Sequence, residues 1–167
     1  MLMSLSSKLL NKVSKTQKGF TLIELLVVIG ILAVLLAITL IAINPARQFS
    51  QANNTQRASD VNAILNAVGQ YAVQNRGNIA AIGIPVGTAS AKIIGSNTGA
   101  GQVDFCPSIV PTFIAAMPVD PQTGSWTDCT NYNSGYTVYQ SGTNSRVTVS
   151  APGTEIPPAT APISVTR

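Results

Sequence analysis

Lys18-Gly19-Phe20-Thr21-Leu22-Ile23-Glu24-Leu25 opens the stretch that decides the fold. From Phe20 to Ile43 the chain reads FTLIELLVVIGILAVLLAITLIAI, with Glu24 as its one charge. As a helix, this run extends about 36 Å, more than a hydrocarbon core of about 30 Å. A helix buried in a water-soluble core would keep a polar face, and this run has none. A secretory signal peptide carries an apolar stretch of roughly 7–15 residues and ends in small residues at a cleavage site. Here the run is longer and is followed by Asn44-Pro45-Ala46-Arg47. Residues 20–43 are therefore expected to span a membrane and to remain in the protein.

On the N-terminal side, Lys8, Lys12, Lys15 and Lys18 stand without an acid among them. By the positive-inside rule they hold this end in the cytoplasm, and everything after the span lies outside. From Phe20 onward the bases Arg47, Arg57, Arg76, Lys92, Arg146 and Arg167 balance the acids Glu24, Asp60, Asp104, Asp120, Asp128 and Glu155. The net charge of +4 thus belongs to the leader, and no basic face for a specific nucleic-acid partner follows from it.

Composition removes further classes. Of 167 residues, 46% are hydrophobic and only 10% charged, against about 25% in an average soluble domain. The absence of histidine excludes a Ser-His-Asp triad, a Cys-His dyad and any His-ligated metal. Two cysteines cannot build a four-thiolate zinc site. Aromatics, at 5%, are too few for a base-stacking platform. Two separated aspartates lack any surrounding acid–base motif, so an enzyme is not expected.

Beyond the span, Val61, Ile64, Leu65, Val68 and Ala72 form a stripe at helical spacing. Asn75-Arg76-Gly77 is a helix stop. The spacing predicts one helix from Phe20 to about Asn75, kinked at Pro45, which removes a backbone donor. Its soluble half covers 44–76. Residues 77–102, rich in Gly, Ala, Ser and Ile, read as an irregular connection with a short strand near Ile93. Tyr136-Thr137-Val138-Tyr139 and Arg146-Val147-Thr148-Val149 alternate around Ser141-Gly142-Thr143-Asn144, a β-hairpin pattern. The head is thus expected over 77–150. Residues 151–167 carry Pro152, Pro157, Pro158 and Pro162 and read as an extended, flexible tail.

The junction Lys18-Gly19-Phe20-Thr21-Leu22-Ile23-Glu24-Leu25 resembles the processing motif of type IV pilins and pseudopilins: a basic residue, a glycine, then a phenylalanine opening a long apolar helix with glutamate at its fifth position. The resemblance implies an α+β fold, with the long N-terminal helix packed on a small antiparallel sheet. It also implies removal of leader 1–19 by a prepilin peptidase cutting between Gly19 and Phe20, then N-methylation of Phe20. Glycine suits a scissile bond because it has no Cβ. Glu24 is costly in a membrane and thus a functional candidate, favoured near a helix start by the macrodipole. After cleavage the Phe20 amine gives it a cationic partner, in its own chain or a neighbour's.

The function so implied is a structural subunit of a pilus-like filament, for adhesion, surface motility or DNA uptake. Its partners would be copies of itself, minor pilins, the peptidase, and an assembly platform with its ATPase. The protein would start in the cytoplasmic membrane and end on the cell surface. The rival readings are a pseudopilin of a type II-like secretion system and a membrane-anchored binding module that never polymerises.

Cys106 and Cys129 are even in number and outside the membrane, where disulfides persist. Pilins commonly tie a C-terminal loop this way, although here the hairpin lies after the loop. Pro118-Val119-Asp120-Pro121 with Gly124, Trp126, Asp128 and Tyr136 loosely resembles the calcium loop of secretion pseudopilins. Asp120, Asp128 and nearby carbonyls could supply some of the roughly six to eight oxygens calcium takes. The competing and preferred reading is a turn-forming Asp-Pro sequence with no cofactor.

Overall fold

The computed structural model describes residues 19–155 and 161–167. Lys8, Lys12, Lys15, Lys18, Pro157 and Pro158 lie outside the described residues. The chain divides into two compact units, Met1–Asn44 and Pro45–Arg167.

The first unit is helix α1, Leu22–Ile43, and none of its residues is buried. It is long and apolar enough to cross a membrane. The second unit begins with α2, Pro45–Gln74. The sequence predicts one helix kinked at Pro45; the structure has two, interrupted at Asn44. Asn44 takes a left-handed backbone, φ 47°, ψ 81°. A residue before proline is pushed out of the right-handed helical region, and asparagine tolerates the left-handed one. Pro45, lacking an N–H, then suits the first position of a new helix.

A sheet of five antiparallel strands follows: β1 Lys92–Gly95, β2 Ser125–Asp128, β3 Asn131–Gln140, β4 Val147–Ala151 and β5 Ile163–Thr166. Strands β1, β3, β4 and β5 lie in that order, with β2 also paired to β3. The expected hairpin is β3–β4, in register Thr137↔Ser150 to Gln140↔Val147. Strand β3 alternates as the period-2 pattern requires: Tyr132, Ser134, Tyr136 and Val138 are buried. The connection 77–102 contains three short 3-10 turns besides β1.

Helix α2 packs on β4 and β5. Val61, Ile64, Leu65 and Val68 from the predicted stripe are buried with Ala67, while Ala72 is only half-buried. They meet Phe105, Ile109, Tyr136, Val138 and Val149 in one core. A four-residue helix, α3 Cys106–Ile109, leads into the loop before β2.

The tail expectation is overturned at its end. Ile163–Thr166 pairs with β4, with Val149↔Val165 and Ala151↔Ile163 in register, and Arg167 exchanges both backbone bonds with Val147. Ile163 and Val165 pack against the core, so two apolar side chains at strand spacing outweigh the proline content. Pro162 fits because it precedes the strand and costs no ladder bond.

Candidate functional site

Two regions carry the residues singled out by the sequence, one in each unit. In the first, Thr21 caps α1 with an extended backbone, φ −80°, ψ 150°. Its Oγ1 accepts from the Glu24 N–H at 3.2 Å, while the Glu24 carboxylate accepts from the Thr21 N–H at 3.4 Å and its hydroxyl at 3.3 Å. This capping box satisfies two of the helix's free donors. Glu24 therefore has an own-chain partner one turn into the span. Thr21-Leu22-Ile23-Glu24 has the T-x-x-E spacing that signals this box in the sequence.

Gly19 and Phe20 precede the helix. A Cβ on Gly19 would meet nothing within 4 Å, so no packing within the described residues requires glycine there. Phe20 is 86% exposed, and Leu26, Val27, Gly30, Ile31, Val34 and Leu35 form an open apolar surface along α1.

In the second unit, Cys106 and Cys129 are joined by a disulfide, with Cα atoms 5.4 Å apart, inside the ordinary range. It ties α3 to the turn between β2 and β3. Closing this 24-residue loop contributes about 3 kcal/mol by chain entropy. The Tyr132 hydroxyl braces the same end: it donates to Asp104 at 2.8 Å and accepts from the backbone N–H groups of Phe105 and Cys106. Burial, aided by Asp104, pushes the Tyr132 phenol up.

Asp120 and Asp128 serve separate partners. Asp120 is 1% exposed and Arg57, on α2, is 0% exposed. The Arg57 Nε donates to Asp120 Oδ2 at 2.6 Å and Nη2 to Oδ1 at 3.2 Å, a two-pronged ion pair. The Gln122 and Thr123 N–H groups also donate to Oδ1. Gly124 and Gly135 let the loop close around it: a Cβ on Gly124 would lie 2.5 Å from the Asp120 nitrogen, and one on Gly135, at φ +73°, 2.8 Å from the Asp120 Cβ. Burial opposes the Asp120 charge, but Arg57 and the two N–H groups outweigh it and hold the carboxyl at about 2. Asp128 Oδ1 instead accepts from the Thr130 N–H and hydroxyl and the Asn131 N–H, and hydrogen bonding from Thr130 lowers its pKa. Among the described residues no three His, Cys, Asp or Glu side chains group as a metal site.

Arg57 also donates to Glu155 Oε1 at 2.7 Å, and Tyr136, 0% exposed, donates to Asp60 Oδ2 at 2.8 Å. Sequence reasoning missed Arg57, Asp60 and Glu155, which read only as a balanced set of charges. Arg57 lies four residues before Val61, on the continuation of its stripe, and that position was the available signal.

With this geometry in place, the comparison with known families is specific to the first region. Residues 14–40 match the family model of the prokaryotic N-terminal methylation motif. That motif is the hallmark of type IV pilin and pseudopilin precursors, and the chain carries it. The α+β architecture, an apolar helix followed by a second helix and an antiparallel sheet, is pilin-like. No curated protein and no solved structure matches the chain.

Proposed function

We propose that this chain is the precursor of a structural subunit that polymerises into a type IV pilus-like filament. A prepilin peptidase cuts between Gly19 and Phe20, and Phe20 is then N-methylated. Helix α1 stays in the cytoplasmic membrane with its N-terminus inside until assembly moves it into the filament. There its apolar surface is covered by the helices of other copies. The observation that carries this reading is an apolar helix with no buried residue, preceded by Gly19-Phe20 and carrying Glu24 in its first turn, where the methylation motif matches. Such a helix has no place in water, and among the described residues Gly19 has no neighbour that explains it.

In that assembly Glu24 sets the register. A charged residue at mid-span costs about 2.5–3.5 kcal/mol on insertion scales, less near the end of the span, where Thr21 already meets the carboxylate. Once lipid and water are excluded, the Phe20 amine of a neighbouring copy is the strongest available partner. No catalytic role is assigned. Adhesion, motility and DNA uptake are the uses open to such a filament, and a secretion pseudopilus is the nearest rival. The experiment for processing is Gly19→Val, whose β-branched side chain fills the space beside the scissile bond. It should leave a membrane-inserted, uncleaved precursor. A normal mature terminus beginning at Phe20 in that variant would refute the cleavage assignment.

A further inference from the structure

We propose that the head is closed by a built-in cation: Arg57 fills an oxygen-lined cation site, and the shell around it takes calcium when the guanidinium is removed. The observation is the ring of acceptors on one buried side chain. Asp120 Oδ2 lies at 2.6 Å, Glu155 Oε1 at 2.7 Å, Asn54 Oδ1 at 3.0 Å, Asp120 Oδ1 at 3.2 Å and Gln122 Oε1 at 3.5 Å. Five oxygens from four residues thus converge on one guanidinium that is 0% exposed.

These oxygens come from three separate parts of the second unit. Asn54 belongs to α2, Asp120 and Gln122 to the loop before β2, and Glu155 to the segment after β4. A central positive charge is what joins them. The carboxylates are held in place by other bonds as well: Asp120 by the Gln122 and Thr123 N–H groups, Glu155 by the Asn53 side-chain amide at 3.0 Å. The shell is therefore partly preformed. Carboxylate and amide oxygens are the hard donors calcium takes, six to eight of them with water completing the set. Two carboxylates against one guanidinium leave one negative charge uncompensated in the shell, so a divalent ion matches it better in charge.

Arg57 makes this closure independent of any metal outside the cell. A tethered guanidinium cannot be chelated or diluted away, and its fork meets both Asp120 oxygens at once. The head of the wild-type chain should then hold its fold in surroundings poor in divalent cations.

The test uses the full-length protein in detergent micelles, with thermal unfolding followed by circular dichroism. Wild type should melt at the same temperature with EDTA, with no addition, and with calcium chloride at about 10 mM, well above the dissociation constants typical of weak extracellular sites. Arg57→Ala should melt on the order of 10 °C lower in EDTA, and calcium chloride should restore most of that loss. Arg57→Ala combined with Asp120→Asn should show no calcium response. A drop in wild-type melting temperature with EDTA would overturn the proposal, because closure would then need a metal. So would an Arg57→Ala protein that neither folds nor gains stability in calcium, or a calcium response that survives the loss of Asp120.

Discussion

Asp120→Asn removes one charge from the more enclosed of the two ion pairs that Arg57 makes. Arg57 stays buried at 0% exposure, with Glu155, 17% exposed, as its remaining carboxylate partner. Taking one partner from a buried ion pair costs about 3–5 kcal/mol. The carboxyl's own titration gives a lower figure. Held at about 2 against an ordinary 3.8, its charged form favours the fold by about 2 kcal/mol, at about 1.36 kcal/mol per pKa unit. Protonation leaves a neutral acid that still accepts hydrogen bonds, whereas asparagine can also turn an NH2 toward the guanidinium. The substitution should therefore cost at least the lower figure. At roughly 4 °C per kcal/mol for a body of this size, the melting temperature should fall by about 10–20 °C at neutral pH.

The acid behaviour carries a sign. A carboxyl whose folded-state pKa is depressed contributes fully above its unfolded value, and the contribution is lost as pH falls through the folded one. For Asp120 that window runs from about pH 4 to about pH 2. Glu155, lowered by its hydrogen bond to Arg57, acts in the same direction. Asp60 acts in the opposite one: burial raises it and the Tyr136 hydroxyl only partly offsets this, so its protonated form is favoured in the fold. Wild type should lose stability across the acid window, and Asp120→Asn should decline less there because part of the loss is already taken. Thermal unfolding of full-length protein in micelles across that range is the assay. A variant that melts like wild type at neutral pH, or that shows the full wild-type acid decline, would refute the reasoning.

Glu24→Ala should insert in the membrane and be cleaved at Gly19 but assemble poorly; wild-type amounts in sheared filaments would remove its docking role. Glu24→Asp should fall between, since it loses one methylene of reach. Cys129→Ser should lower head stability by about 3 kcal/mol, read as a lower denaturant midpoint with a steeper slope, because the unfolded chain expands without the crosslink; no shift in midpoint would mean the crosslink adds nothing.

The legible parts of this chain were those whose signal is local. Phe20–Ile43 announces α1 by length and hydropathy, Val61 to Val68 announce the buried face of α2, and alternation around Ser141–Asn144 announces β3–β4. The pairing of Cys106 with Cys129 followed from their even number and compartment. Strand β2 was hidden because Ser125-Trp126-Thr127-Asp128 is short and mostly exposed. Strand β5 was hidden behind prolines. The Arg57 cluster is of another kind: Arg57, Asp120 and Glu155 lie 63 and 98 residues apart in sequence. No window reads such a contact, and a charge inventory shows only that the sums balance. The likeness of the Asp120 loop to a calcium loop was a local signal, whereas the guanidinium that pairs with Asp120 comes from Arg57 on α2, far off in sequence. The helix break was half legible: proline marked the place, but the left-handed turn falls on Asn44.

Mass spectrometry of filaments sheared from cells making this protein tests the central claim most directly. The account predicts an abundant chain whose first residue is Phe20, carrying one methyl group on its amine and an intact Cys106–Cys129 bond. Sheared filaments lacking the chain, while it remains in the membrane with its leader attached, would contradict it.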